Sequence, residues 1–566
     1  MISPEALTLL KARYLREHET PEEMFWRVAN HVAQAEEAYG QDRNHTSQQF
    51  YELLASMVFL PNSPTLMNAG KVEAQLAACF VLPILDSLAD IFETLKNTML
   101  IHHSGGGTGF SFSRLRPQSD LVSSNGAASG PLSFMRIYDA ASEVVKQGAV
   151  RSGANMAVLR VDHPDILEFI TAKRDHNALN NFNLSVGITD EFMAAVQEGR
   201  LFNLVNPRTN KIAVRVEAQT IFDLIVRMAW ENGEPGMFFL DNVNQANPTP
   251  GLGQFEAPNP CSEQPLLPYE SCTLGSINLT KMINIHSGKK QIDYSRLKET
   301  VRLAVQFLDD VIEVNCYPLD IVKQASRRTR KIGLGIMGLA DLFIMLDIPY
   351  ASPEAVRLTA QIMNFITNEG RKVSCELALK RSSFPAFNQS IFAVNGYSAM
   401  RNATITTIAP TGSISMIADC SSGIEPLFAL AMTRRVMDGR LLSSINGKVL
   451  RYLDERKLLN TAIEDIIKNE GSIQATSLPD HCKSVLAVAH EIKPYWHVAQ
   501  LAAAQKYTDN GVSKTVNLPS DATTQDVADV FWHAYSDKCK GVTVYRHLSR
   551  DYQVLTQGMT CAECSV

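Results

Sequence analysis

From residue 107 to about 280 the chain repeats one pattern. Short apolar runs, Phe110-Ser111-Phe112, Met156 to Leu159 and Phe182 to Val186, alternate with helical spacing and with Gly, Pro and Asn turns. Runs of this length bounded by breakers read as buried strands, and their alternation with helices predicts an α/β architecture. Further helices are predicted over about 294–314 and 353–379, and further strands at Thr404-Ile405-Thr406-Thr407-Ile408 and Val542-Thr543-Val544-Tyr545. The first sixty residues read as three helices, two of them opened by capping boxes at Thr20-Pro21-Glu22-Glu23 and Thr46-Ser47-Gln48-Gln49. Past Asp86, residues Leu88, Ile91, Phe92, Leu95 and Met99 recur at helical spacing until Gly105-Gly106-Gly107. This amphipathic helix turns its stripe either to the core or to a subunit interface. No repeat, low-complexity tract or linker appears, so the reading is a helical segment at 1–60, one large domain at 61–552 and a flexible tail at 553–566.

Composition narrows the partners. At 566 residues, 45% hydrophobic and 20% charged, the chain is long enough for a deep core. A net charge of −6 and a pI near 6.1 disfavour a nucleic-acid scaffold but leave room for a few basic groups around a small phosphate. The N-terminus lacks a basic-then-apolar leader, and Asp341 interrupts the apolar stretch from Gly335 to Leu346, so a soluble, cytoplasmic protein without a membrane partner is expected. Ten cysteines are too dilute for a disulfide scaffold; each reads as a buried hydrophobe or a redox thiol.

Four segments hold residue types that carry chemistry. The densest is Asn259-Pro260-Cys261-Ser262-Glu263-Gln264-Pro265, followed by Tyr269-Glu270-Ser271-Cys272. In an extended loop, stiffened here by Pro258, Pro260 and Pro265, alternate side chains project together, so Asn259, Cys261 and Glu263 are expected to bring an amide, a thiol and a carboxylate into one pocket. The same composition also suits a plain surface loop. Pro61 to Gly70, with Cys79 close behind, offers hydroxyls and an amide for a phosphate or ribose, or forms an ordinary turn. Pro410-Thr411-Gly412-Ser413-Ile414-Ser415 follows a strand as a small hydroxyl-rich turn suited to an anion, without the lysine of a P-loop. Cys561-Ala562-Glu563-Cys564 is either half a zinc site, with His547 as the near third ligand, or a redox dithiol; one close histidine favours the dithiol, with no metal.

In this order, and from about residue 50 onward, these segments resemble the catalytic subunit of ribonucleotide reductases. Asn259-x-Cys261-x-Glu263 is similar to the family's finger-loop signature. Cys272 to Leu279 and Ser422-Gly423-Ile424-Glu425-Pro426 continue the likeness. The resemblance implies a ten-stranded α/β barrel of two parallel five-stranded halves, with a central finger loop and a helical lead-in. It implies a thiyl radical at Cys261, shielded by the barrel, that abstracts the ribose 3′ hydrogen. Glu263 then acts as general base on the 3′-hydroxyl and Asn259 orients the substrate. Cys79 and Cys272 supply two electrons, and the tail pair Cys561/Cys564 re-reduces them before being recharged by a thioredoxin- or glutaredoxin-like protein. Ser63, Ala78 and the turn Pro410, Thr411, Gly412, Ser413, Ile414 match substrate contacts. Asp86 and Arg114 match an effector site for a deoxynucleoside triphosphate in a homodimer, although Asp86 also suits a helix cap. Ala149 to Asn155 matches the loop that transmits effector identity. Cys316, Cys375, Cys420, Cys482 and Cys539 are left as structural.

The strand Thr543-Val544-Tyr545-Arg546 has one tyrosine where class I subunits carry two in a radical relay. With Pro268-Tyr269-Glu270-Ser271-Cys272 this is more similar to class II, in which adenosylcobalamin supplies the radical within one chain. Diphosphate substrates are expected on the same ground. The alternatives are a class I subunit that needs a radical-generating partner, and a non-catalytic nucleotide-binding regulator on the same barrel. With some sixty residues ahead of Asn62, no ATP-binding cone is expected before the barrel.

Overall fold

The structure, a computed structural model, describes all residues except Met1, 123–125, 147–152, 176, 436–440, 469–470, 550–554 and 558–566. Its centre is a seven-stranded sheet. Five strands, Cys79–Val81, Gly107–Ser111, Asn155–Arg160, Phe182–Ile188 and Gly236–Phe239, pair in parallel, each linked to the next through a helical crossover or a longer loop. Strand Gly541–Arg546 joins Gly236–Phe239 antiparallel and carries Thr515–Leu518 in parallel. A second sheet of three strands sets Phe59–Pro61 antiparallel to Leu274–Asn278, which pairs in parallel with Gly333–Met337. Parallel strands covered on both faces need apolar side chains on both, and Phe110, Ala157, Val158, Leu184 and Val186 all lie within the core. Among the described residues no helix is long and apolar enough to cross a membrane.

Local expectations hold where the signal is local. The helices at Tyr294–Val314 and Pro353–Arg381 stand where spacing puts them, and Thr20 and Glu23 form their reciprocal cap. Thr46, by contrast, lies inside the Arg43–Ala55 helix, because Asp42 caps it one turn earlier by accepting from Asn44 and His45 N–H. Thr404 to Ile408 makes only isolated parallel bridges, Leu334 with Thr406 and Ile408 with Val512. Among the described residues the ladders form separate sheets, the largest of seven strands, and do not by themselves draw the expected ten-stranded closure. Nor is the stretch after Tyr552 uniformly a loose tail, since Leu555–Gln557 pairs with Met432 to Arg434 as a third strand on a hairpin.

The N-terminal helices are fastened to the barrel by buried charge. Glu36 accepts from Arg381 at 2.5 Å, Arg381 reaches Asp310 at 2.5 Å, and Asp309 takes Arg330 at 2.7 Å and Arg401 at 3.1 Å. Arg330 also binds Glu313, which accepts from the Tyr39 hydroxyl at 2.7 Å. Burial and the neighbouring carboxylates of Glu36 and Asp309 push the Asp310 carboxyl well up, whereas three guanidiniums outweigh burial and hold Asp309 down at about 2. Four acidic side chains (Glu36, Asp309, Asp310, Glu313) thus meet three guanidiniums (Arg330, Arg381, Arg401). Nothing in the sequence pattern flagged this cluster.

Candidate active site

The finger loop is a short antiparallel hairpin, Ala257–Pro258 against Pro265–Leu266. It crosses the middle of the molecule and is touched from both sheets. A Cβ on Gly109 would lie 1.9 Å from the Pro258 carbonyl oxygen, and one on Gly511 would lie 2.5 Å from that of Ser262, so glycine is required at both close approaches. The Asn183 amide donates to Pro260 O at 2.8 Å, Thr407 Oγ1 donates to Glu263 O at 2.7 Å, and Gly511 N donates to the same oxygen at 2.8 Å. These backbone bonds hold the loop from three directions.

Its tip is not extended. Ser262 N donates to Asn259 O, Ser262 has φ +65°, and Asn259 Oδ1 accepts from Gln264 N at 2.9 Å, which closes a tight turn. The expected in-line projection of Asn259, Cys261 and Glu263 is therefore replaced by turn geometry. Asn259 and Glu263 are buried while Cys261 stands exposed at the apex. The thiol expected to be shielded is instead accessible at the apex of the turn, between the buried Asn259 and Glu263.

Asn259 points its amide at Cys79, Nδ2 to Sγ 3.2 Å. Cys79 begins its strand opposite Cys272, whose N–H donates to Cys79 O at 3.0 Å, and both thiols are buried. Burial first, and then the Cys79 side chain and the Glu263 charge, push the Cys272 thiol well up, so it holds its proton. The amide, the two thiols and the carboxylate thus converge although they come from positions 79, 259, 263 and 272. Two residues before Cys272, Glu270 accepts from Leu267 N at 2.7 Å, from Thr329 Oγ1 at 2.6 Å and from Lys331 Nζ at 2.6 Å. This buried clamp fixes the approach to Cys272, and it escaped sequence reasoning because Lys331 is 61 residues away from Glu270.

Asn62 caps the Ser63–Asn68 helix, and its N–H donates to Leu274 O beside the dithiol strand. The Ser63 hydroxyl lies 2.9 Å from that of Tyr14, at the end of the first helix, which also packs on the Gly412–Ile417 helix. Thr411 adopts φ +56°, and its Oγ1 accepts from Gly423 N at 2.7 Å, which pins the turn; Gly412 is left exposed and Ser413 and Pro410 half-buried, while Ile414 faces inward. Ala78 is buried and its N–H donates to Cys272 O. Asp86 does not cap the following helix; Ser87 does, and both Asp86 carboxylate oxygens accept from the single Arg116 Nε–H. Arg114 pairs with Glu256 instead. Cys561, Cys564 and the segment 149–152 lie outside the described residues.

A model of the ribonucleotide reductase barrel domain matches residues 77–545, and one of the ribonucleotide reductase all-alpha domain matches residues 2–74. The chain belongs to the ribonucleotide reductase family. Among relatives, this reductase is 51% identical over 521 residues to a vitamin B12-dependent ribonucleoside-diphosphate reductase of Thermoplasma acidophilum, covering 92% of this chain and 67% of that one. A protein of the same description from Mycobacterium tuberculosis is 48% identical over 566 residues, with 98% and 81% covered. The fold matches that of the Actinobacillus ureae class Id ribonucleotide reductase alpha subunit, TM-score 0.79 at 24% identity, over 96% of this chain and 97% of that one. The reductase is thus an α/β barrel with a helical N-terminal part.

Proposed function

We propose that this reductase converts ribonucleoside diphosphates to 2′-deoxyribonucleoside diphosphates by thiyl-radical chemistry, with adenosylcobalamin as radical source. The observation that carries the reading is the buried Cys79/Cys272 pair, addressed by the Asn259 amide from the loop that presents Cys261. As a thiyl, Cys261 takes the ribose 3′ hydrogen, and Glu263 removes the 3′-hydroxyl proton. The 2′-hydroxyl leaves as water with a proton from the dithiol, the Asn259 N–H supporting the sulfur that becomes anionic. Cys79 and Cys272 give up two electrons and become a disulfide, and the 3′ hydrogen returns from Cys261. Cys561 and Cys564 are proposed to restore the dithiol by exchange, drawing on a thioredoxin- or glutaredoxin-like donor. Ser63, Ala78 and the turn 410–414 are proposed to hold the substrate.

The residues present fit the cofactor. Cys261 is open to an external group, and at the place of a second relay tyrosine Arg546 stacks on Trp230 at 4.1 Å and donates to the carbonyls of Trp230 and Ser520. A guanidinium engaged in this way offers no redox step beside Tyr545, so the class I reading is not favoured. Cys261 and Ser262 at the finger-loop apex are the residues that would face adenosylcobalamin, which would supply the radical through its homolysable cobalt–carbon bond.

Two finer readings rest on the same frame. The bridges Leu334–Thr406 and Ile408–Val512, with Phe80–Ser271 between the sheets, support a ten-stranded barrel of two parallel halves. The helix Leu88–His103 buries Ile91, Thr98 and Ile101 yet exposes Leu88 at 64% and Phe92 at 48%, which supports a homodimer through that face. Phe92→Asp is expected to shift the protein to monomer by light scattering, and an unchanged mass would refute that interface. An effector triphosphate is proposed at Asp86 and Arg114, where it would have to displace Glu256.

The deciding test is deoxynucleotide formation by the purified chain with CDP, dithiothreitol and an effector mixture. Product is expected only with adenosylcobalamin. Product that requires a separate metal-bearing subunit instead would overturn the cofactor reading.

A further inference from the structure

Lys331 and Lys514 are buried against carboxylates, those of Glu270 and Glu425. Lys540, 6% exposed, is buried differently. Its Nζ donates to the main-chain oxygens of Asp509 at 2.6 Å, Asn510 at 2.7 Å and Thr508 at 3.4 Å. The three N–H donors of one ammonium thus meet three consecutive carbonyls. Gln505 Nε2 joins them from the preceding helix, donating to Thr508 O at 3.2 Å and to Asn510 O at 2.9 Å. Carbonyl dipoles that converge on one point repel one another, and leaving them bare in the interior is costly, so the shape of this segment depends on the cation at its centre. None of the roles above uses Lys540.

The segment held in this way reaches the finger loop one residue later. Gly511 N donates to Glu263 O at 2.8 Å, and Gly511 O accepts from Thr407 Oγ1, the hydroxyl that also donates to Glu263 O. On the other side of the lysine, Gly541 is so close to the same loop that a Cβ there would lie 3.5 Å from Ser262 Oγ. The main chain of Lys540 is itself anchored: its carbonyl accepts from Phe239 N at 2.9 Å, and Asn242 Nδ2 donates to Cys539 O at 2.9 Å. Lys540 therefore ties the start of the strand Gly541–Arg546 to residues 508–511, and these two elements meet the turn that carries Cys261 at Ser262 and at Glu263.

We propose that Lys540 is a positioning residue for Cys261: by gathering the carbonyls of residues 508–510, its ammonium sets where the finger-loop apex stands. The inference rests on the thiyl reading of Cys261. Hydrogen transfer between sulfur and carbon needs close contact, and a displacement of about 1 Å can cost ~100-fold in rate. Only the charged form holds all three carbonyls, because a neutral amine has two N–H groups and turns a lone pair toward the third. Burial outweighs the attraction of Asp509 and brings the ammonium down to about 8. Asp509 is itself tied to Arg371 at 2.6 Å and accepts from Ile405 N and Thr406 N. Lys506, Asp537 and Lys538 are the other charged groups of the pocket of about 950 Å³ that Lys540 lines, and Glu263 lies beyond Gly511. Turnover is therefore expected to fall as pH rises through about 8, where the proton is lost.

Two measurements on the full-length protein test this. Amide hydrogen exchange needs no cofactor: in Lys540→Met, residues 508–513 and 259–264 are expected to exchange about tenfold faster than in wild type, while the helices Ala218–Asn232 and Tyr294–Val314 stay as they were. An equal rise in all four segments would mark a general loss of stability and overturn the proposal, as would no change. Should Lys540→Met fail to fold, the wild type decides: the same two segments are expected to lose protection between pH 7 and 9, beyond the intrinsic rise in rate, and constant protection overturns the proposal. In CDP reduction with the cofactor, Lys540→Met is expected to lower kcat by about 100-fold with KM within about twofold. Lys540→Arg, which keeps its charge, should recover part of the rate and lose the fall near pH 8. Lys538→Met removes an exposed charge from the same pocket and should match wild type. A fall near pH 8 that persists in Lys540→Arg, a loss in KM rather than kcat, or an equal loss in Lys538→Met overturns the proposal. If the wild type reduces nothing, the thiyl reading fails, and the exchange rates still decide on Lys540.

Discussion

Cys261→Ser is expected to lower deoxynucleotide formation by about 10⁴-fold or more, a rise of at least ~5 kcal/mol in the barrier. An O–H bond is much stronger than an S–H bond, so a serine hydroxyl at the finger-loop apex cannot accept the radical or return the 3′ hydrogen. Folding should be untouched. The frame of the loop is made by backbone groups of Asn259, Pro260, Ser262 and Glu263 and by the Asn259 side chain, and the Cys261 side chain is exposed. Nucleotide binding by equilibrium dialysis is therefore expected to stay within about twofold of wild type, an effect of under ~0.5 kcal/mol. Turnover within tenfold of wild type would remove Cys261 from the mechanism.

Arg381→Met is the change with the largest expected effect on stability, about 3–5 kcal/mol. It strips the cationic partner from Glu36 and Asp310 and one of three from Asp309, all fully buried, and leaves Glu36 with the Gln306 amide. The cost arises from carboxylates left in a low dielectric, so adding Glu36→Gln should recover part of it. Unfolding of so large a chain is best followed as an inactivation half-life under heat. A variant as durable as wild type would show the cluster to be energetically idle. The same cluster sets an acid limit with a definite sign. Asp309 is held below its unfolded value, at about 2, so its stabilisation is present above pH ~4 and is lost as pH falls toward 2. Asp310 is raised, so its contribution has the opposite sign and declines as pH rises.

The sequence alone determined what depends on near neighbours. The Thr20/Glu23 cap and the strands around Phe110, Met156 and Phe182 are settled within a few residues by hydrogen-bond reach and by period, as are the two long helices from Tyr294 and Pro353. The residues proposed to react are also read from the sequence, because Asn259, Cys261 and Glu263 alternate in one short motif and the resemblance to the family ties them to Cys79 and Cys272. Only the tertiary structure decided how these groups are presented. Whether the finger loop runs extended or turns at Cys261 depends on Gly511 and Thr407 meeting Glu263, contacts made across 144 residues or more. The charge cluster joins Glu36 to Arg381 across 345 residues, and Glu270 meets Lys331 across 61. Such pairings carry no period and no fixed spacing; they exist because the folded barrel excludes water, and a polar group brought into that interior must meet a partner there.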